Sequence, residues 1–386
     1  MNPDIGSIIP GEAYKYIYAI IVFVLISIKS ISPAPNGIIK PENKKTTYNK
    51  ALILGLFFII FFGTRPNHGL AMADTSGYAN VYQIQQTYHE PIHIDWRNGK
   101  EIIWNLICDF MASAGFPVWA WFTVIATIYI MFNLWGIKKI FPNHAYIVFL
   151  FYVTFFLFYS GGINGIRNAD AYSIAFFALS LYTQPKLKNY ILIGALFLVA
   201  YQIHSSVIIT ITAFIASVFF VKRTNLALLI WIGAIIITLV AGSSLAQFAS
   251  TLTDDGRAAK YLEYANDAQM MREGFSHTGF RWDFLLFSAL PIALGWYVTV
   301  KRSINDQFYQ CLLNTYILAN AIWIIFIYAA FSNSFAMLSW CIYPYVLCYP
   351  LVKFNIWPKK IQHTRTSLFL WTLFIFSLYM NVIQKI

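Results

Sequence analysis

The stretch "GGINGIRNAD", residues 161–170, sits between two apolar runs, "AYIVFLFYVTFFLF" and "SIAFFALSLY". A charge at the edge of hydrocarbon is costly, so Arg167 and Asp170 point to function by default. Arginine offers a planar fork of donors suited to phosphate or carboxylate. The glycines before it let backbone N–H groups approach an anion at a helix start. As the plainer alternative, Arg167 and Asp170 share a helical face at i,i+3 and simply pair. Asp74, in "MADTSGYANVY", is followed by Tyr78 and Tyr82 at i+4 and i+8. A carboxylate with aromatic faces suits a sugar, whereas a helix cap and interfacial tyrosines are the alternatives. Glu101 opens "EIIWNLI", where a carboxylate also favours a helix N-terminus. His204, in "AYQIHSSVII", suits proton transfer or phosphate contact, or else a hydrogen-bonded place in the core. Arg65 in "FFGTRPN" is a ligand for an anion or a snorkelling anchor. Arg281 and Asp283 in "GFRWDF" repeat the arginine-then-acid arrangement.

Other chemistries lack their residues. There is no HExxH, P-loop, GxSxG or GxGxxG, and no metal cluster or cofactor motif. The four cysteines, Cys108, Cys311, Cys341 and Cys348, lie in or beside apolar runs and read as small core residues.

Helices must position these groups. The chain is 59% hydrophobic and only 11% charged, less than half of the roughly 25% charged residues of a soluble domain. The composition predicts an all-α, polytopic membrane protein forming one membrane domain. Apolar runs predict about twelve spans, at 14–31, 50–64, 117–136, 144–160, 168–183, 189–203, 205–221, 225–247, 281–299, 308–330, 333–352 and 366–383. The first run has an acidic flank and no basic n-region, so it reads as a retained span.

Charge distribution orients this arrangement. With the N-terminus outside, 17 of the 27 lysines and arginines fall on the cytoplasmic side, with only Glu42 and Asp306 of the 16 acids. The net charge of +11 is therefore mostly topology signal and does not point to nucleic acid. Of the ten basic residues left outside, six are arginines, which argues for an anionic ligand on that face. Two extracytoplasmic loops, 65–116 and 248–280, are long enough for function. The first ends in a stripe of apolar positions from 102 to 111 that predicts a short interfacial or re-entrant helix. The interruptions near Gly161 and His204 lie close together. A transporter of inverted repeats would place them in matching halves.

From "DTSGYANVY" through Glu101 and "SAGFP" to "GGINGIRNADAYSIAFFALSLYTQPKLKNYILIGALFLVAYQIHSS", the chain resembles the EpsG-type, Wzy-like bacterial polysaccharide polymerases. The resemblance runs from about Ala73 to Phe220. It departs at Asn168, where the family usually has glutamine, and in the penultimate span, which lacks the family's arginine. The resemblance implies a fold similar to polyprenyl-dependent membrane glycosyltransferases. It also implies joining of polyprenyl-diphosphate-linked glycan units at the outer face of the bacterial inner membrane, without a metal or cofactor. A flippase and a chain-length regulator are its implied associates in the bilayer. An O-antigen ligase and a flippase or transporter are the alternative readings. On the polymerase reading, Arg167, Arg65 and Arg281 meet the donor diphosphate. Asp74 or Glu101 is the base or positions the acceptor, and His204 assists at the diphosphate or relays a proton. Tyr78 and Tyr82 line the glycan groove, and Asn168 and Asp170 count with the substrate-binding residues, Asp170 alternatively only holding Arg167 in place.

Overall fold

A computed structural model describes residues 10–31, 40–67, 72–88, 101–219, 223–242, 244, 279–328, 336–337 and 339–383. Among these, every regular element is helical. The long loop expected at 248–280 lies almost entirely outside the described residues, as do Arg97, Lys100, Arg257, Lys260 and Arg272. Residues 333–335 and 338 of the expected span at 333–352 do too.

The chain divides into two compact units, residues 1–207 with 351–386, and residues 208–350. The first unit contains α1 (Gly11–Ile31), α2 (Lys44–Gly63), α3 (Ala73–Tyr88), α4 (Ile102–Ser113) and α5 (Val118–Ile140). It continues with α6 (Ala145–Thr154), α7 (Phe156–Ile163), α8 (Ile166–Leu181) and α9 (Leu187–Ile203). At its heart α5 packs between α2 and α8, and α8 packs on α9. Small residues permit this closeness. A Cβ on Gly63 would meet Thr123 at 2.2 Å, and one on Gly55 would meet Leu134 at 2.7 Å. Two glycines eight residues apart lie on one face of α2, so its backbone can approach α5 as membrane helices commonly do.

The expected span 144–160 is two helices bent by 72°. Phe155 takes an extended conformation at the break, φ −76° and ψ 134°. Backbone groups freed inside a membrane protein must find partners. Tyr18 donates to Val153 O, while the Tyr129 hydroxyl lies 3.4 Å from both Leu157 O and Phe158 O.

The second unit contains α10 (Ile208–Phe219), α11 (Thr224–Ala241), α12 (Trp282–Trp296) and α13 (Gln307–Ile325), with most of α14 (Tyr343–Lys353). Here α13 packs against α10 and α11. Pro291 in α12 cannot donate to the carbonyl four residues back. That carbonyl, Phe287 O, instead accepts from the Tyr343 hydroxyl at 3.2 Å. The chain then returns to the first unit with α15 (Lys359–Leu378), which packs on α1 and α6.

Among the described residues, six helices are long and apolar enough to cross a membrane, or seven with the bent pair, against twelve expected. Length accounts for three of the missing spans. The runs at 168–183, 189–203 and 205–221 form helices of 16, 17 and 12 residues. At 1.5 Å per residue even the longest of these spans about 26 Å, short of a ~30 Å hydrocarbon core. The short helix expected from position 102 is present as α4.

Candidate active site

Four segments of the first unit converge on Glu101. Its carboxylate accepts from Arg167 Nη1 at 2.5 Å and lies 2.8 Å from His204 Nδ1. Arg167 stands on the first turn of α8, and His204 is the residue that ends α9. From α3, the Tyr78 hydroxyl accepts from Arg167 Nε at 3.2 Å. The backbone around Glu101 is held as well, since Ile102 N donates to Gln202 Oε1, two residues before His204.

Glu101 stands just before α4 with φ 59° and ψ 27°, a left-handed conformation unusual for a residue with a side chain. Its carboxylate makes no capping bond to the helix. The side chain is therefore committed to Arg167 and His204, not to α4. Strained backbone of this kind costs on the order of 1–3 kcal/mol and gathers at functional sites.

Exposure of the side chains is graded. Arg167 is 28% exposed, Glu101 18% and His204 8%. Arg167 uses Nε and Nη1, and its Nη2 makes no bond among the described residues. The outer edge of the fork is thus left uncovered. No capping side chain closes the start of α8 at Gly165.

Asp74 lies in the first turn of α3 and remains solvent-reachable. Neighbouring chain desolvates it enough to raise its carboxyl pKa, an effect partly offset by the Arg167 charge. Burial likewise raises the Tyr78 phenol, with Arg167 again opposing. Asp74, Tyr78, Glu101, Arg167 and His204 thus form one electrostatically connected group.

Other expected residues are placed differently. Tyr82 is fully buried, stacks on Trp121 at 4.8 Å and donates to Phe116 O at 2.7 Å. It belongs to the packed floor beneath Tyr78 and Trp104, not to an open groove. Asp170 does not pair with Arg167: it is 1% exposed, and neither of its oxygens has a hydrogen-bond partner. Arg65 is 3% exposed, turned inward to Phe62 O and Thr75. Asn168 stays beside the site, where its Oδ1 accepts from Ser206 at 3.5 Å.

Arg281 belongs to the second unit. There it makes a two-pronged pair with Asp283, at 2.9 and 2.6 Å, and lies over the Phe284 ring at 3.6 Å.

The glycines before Arg167 also differ from expectation. A Cβ on Gly162 would meet the Phe62 ring at 2.4 Å, and one on Gly161 would meet Ala169 at 3.0 Å. These two serve helix packing. At Gly165 a Cβ would come no closer than ordinary van der Waals contact, 3.9 Å from Ser160 O.

Among the described residues, no group of three or more His, Cys, Asp or Glu gathers as metal ligands. Thr75 and Gln202 are functional neighbours that residue type alone did not reveal. Gln202 lies in the quoted "YQIHSS", but an uncharged amide gives no signal without its partner.

Apolar helices of spanning length, joined to a cluster of arginine, carboxylate and histidine, define a multi-pass membrane protein with a partly exposed polar site. Over residues 50–385 the chain matches the family model described as the EpsG family. It therefore belongs to the EpsG family, a family of exopolysaccharide and O-antigen polymerase type. Neither a curated protein nor a solved structure matches it.

Proposed function

We propose that the protein joins polyprenyl-diphosphate-linked oligosaccharide units into a polysaccharide chain, at the outer face of a bacterial inner membrane. The observation that carries this reading is the clasp of Glu101 between Arg167 and His204, brought together from segments 66 and 103 residues away.

A hydroxyl of the acceptor unit attacks the anomeric carbon of the donor glycan. The new glycosidic C–O bond forms as the bond to the diphosphate breaks, and polyprenyl diphosphate departs. Charge develops on that leaving group, and a preorganised guanidinium stabilises it best where little water reorganises. Arg167 fills this role with its exposed edge. The acceptor proton needs a base. With Nδ1–H donated to Glu101, neutral His204 carries its basic lone pair on Nε2, the arrangement by which a carboxylate orients a catalytic histidine. Asp74 and Tyr78, on one face of α3, position the acceptor sugar. Arg65 supports this site from behind.

Arg167→Ala, at normal protein level, is expected to lower polymer formation by at least about a hundredfold, the usual cost of removing one such donor. Arg167→Lys retains charge without the fork and is expected to fall between. Chain-length ladders in cells are the measurement, and a full ladder from the alanine variant overturns the reading. Purified protein supplied with lipid-linked units alone is expected to yield a ladder. A ligase would require a different acceptor.

A further inference from the structure

Among the described residues, Arg65 is a buried cation that this reaction leaves without a chemical task. Arg65 Nη1 donates to Phe62 O at 2.7 Å and Nε to the Thr75 hydroxyl at 3.1 Å, while its guanidinium lies 3.6 Å over the Phe122 ring. Thr75, wholly buried, passes the connection on by donating to Ile163 O. Ile163 ends α7, three residues before α8 begins. The circuit closes on itself, because the Phe62 ring fills the space left by the missing side chain of Gly162, next to Ile163.

On α3, Thr75 and Tyr78 are three residues apart and share a face. One holds the carbonyl that leads into α8, and the other holds Arg167 Nε. Both bonds fix the same thing, the placement of the first turn of α8 against α3. Arg65 Nη2 has no hydrogen-bond partner, so Phe62 O, Thr75 and the Phe122 ring hold the buried guanidinium.

We propose that Arg65 and Thr75 are positioning residues that set the Arg167 fork against α3, without touching the substrate. The inference rests on Arg167 as the diphosphate contact. Misplacing a binding group by about 1 Å can cost on the order of a hundredfold. A partial shift of the α8 start is therefore expected to be large enough to measure.

The test is binding of a short-chain polyprenyl diphosphate to purified full-length protein, with thermal unfolding as the check on folding. Thr75→Val keeps the shape and removes the hydroxyl, and is expected to weaken binding about tenfold. Thr75→Ser keeps the hydroxyl and is expected to stay within about twofold of the native protein. In an Arg167→Ala background the loss from Thr75→Val should vanish, since residues acting through one another are not additive.

Native affinity in Thr75→Val, or an undiminished loss in the Arg167→Ala background, overturns the inference. If Arg167→Ala itself binds like native protein, the diphosphate assignment fails instead. Positioning is then read from the Arg167 Nε resonance in arginine-labelled protein. Thr75→Val should shift that signal and Thr75→Ser should not. An unmoved signal in Thr75→Val overturns the inference in that case as well.

Discussion

Asp74 separates the demands of stability from those of function within one side chain. Desolvation lifts its carboxyl above the ordinary 3.8, with Arg167 only partly opposing. The folded protein then holds this proton more tightly than the unfolded chain does. Its stabilising contribution is complete below pH 3.8 and is lost as pH rises through the raised value. At neutral pH the ionised group is therefore a net burden on the fold, one that the acceptor-positioning role would justify. Asp74→Asn is expected to melt at or above the native temperature at pH 7 while losing polymer formation about tenfold or more. Thermal unfolding followed from pH 7 downward should show the native protein gaining on the variant. A variant that melts well below native protein at pH 7 contradicts this account. Glu101 shows the same tension in its backbone, since a left-handed φ of 59° in a residue with a side chain opposes folding and serves the clasp.

At the level of elements, the turn between α7 and α8 can be tested one glycine at a time. Gly162→Ala drives a Cβ to 2.4 Å from the Phe62 ring and is expected to destabilise by ~1–3 kcal/mol, the usual cost of overpacking. Gly165→Ala has φ −80° and only ordinary van der Waals contact, so it should change stability by no more than about 0.5 kcal/mol. Loss of activity in Gly165→Ala without loss of stability would locate ligand approach at that residue. Equal melting temperatures for the two variants would refute the division between close-packed and uncrowded glycines. This turn also shows what the sequence makes legible. The helix from position 102 follows from its apolar stripe, and Arg167, Glu101 and His204 stand out as charges and a histidine beside apolar runs. The partner of Arg167 does not. Local spacing favours Asp170 at i,i+3, whereas the actual partner is 66 residues away, a choice made by the packing of α4 and of α8 on α9. Nor does "AYIVFLFYVTFFLF" betray the bend at Phe155, for it has neither glycine nor proline there. The break is supported by hydroxyls of Tyr18 and Tyr129 from elsewhere in the chain. Arg65 is equally opaque, since a snorkelling, ligand-binding or buried arginine reads the same until its neighbours are in place.

Across the first unit as a whole, charge and site separate along the helices. In α5, 23 residues and about 35 Å long, Trp121 and Phe122 near the start touch Tyr82 and Arg65. Lys138 and Lys139 lie in its last turn, where Lys138 sits over Tyr48 and Lys139 reaches Gln184. Lys29 and Lys50 meet Glu42, in the connection between α1 and α2. Lysines at helix ends opposite the site are what the positive-inside rule requires if the site faces outward. That orientation is also what the proposed reaction needs, because the diphosphate-linked units are joined after crossing the membrane. Single cysteines at Ser113, exposed at the end of α4, and at Gln184, exposed beyond α8, separate the possibilities. In intact cells whose inner membrane is reached only from outside, an impermeant maleimide should label position 113 and leave position 184 unlabelled until the membrane is opened. The reverse pattern would place the Arg167 cluster on the cytoplasmic side, with the polymerase reaction moved away from its lipid-linked substrates.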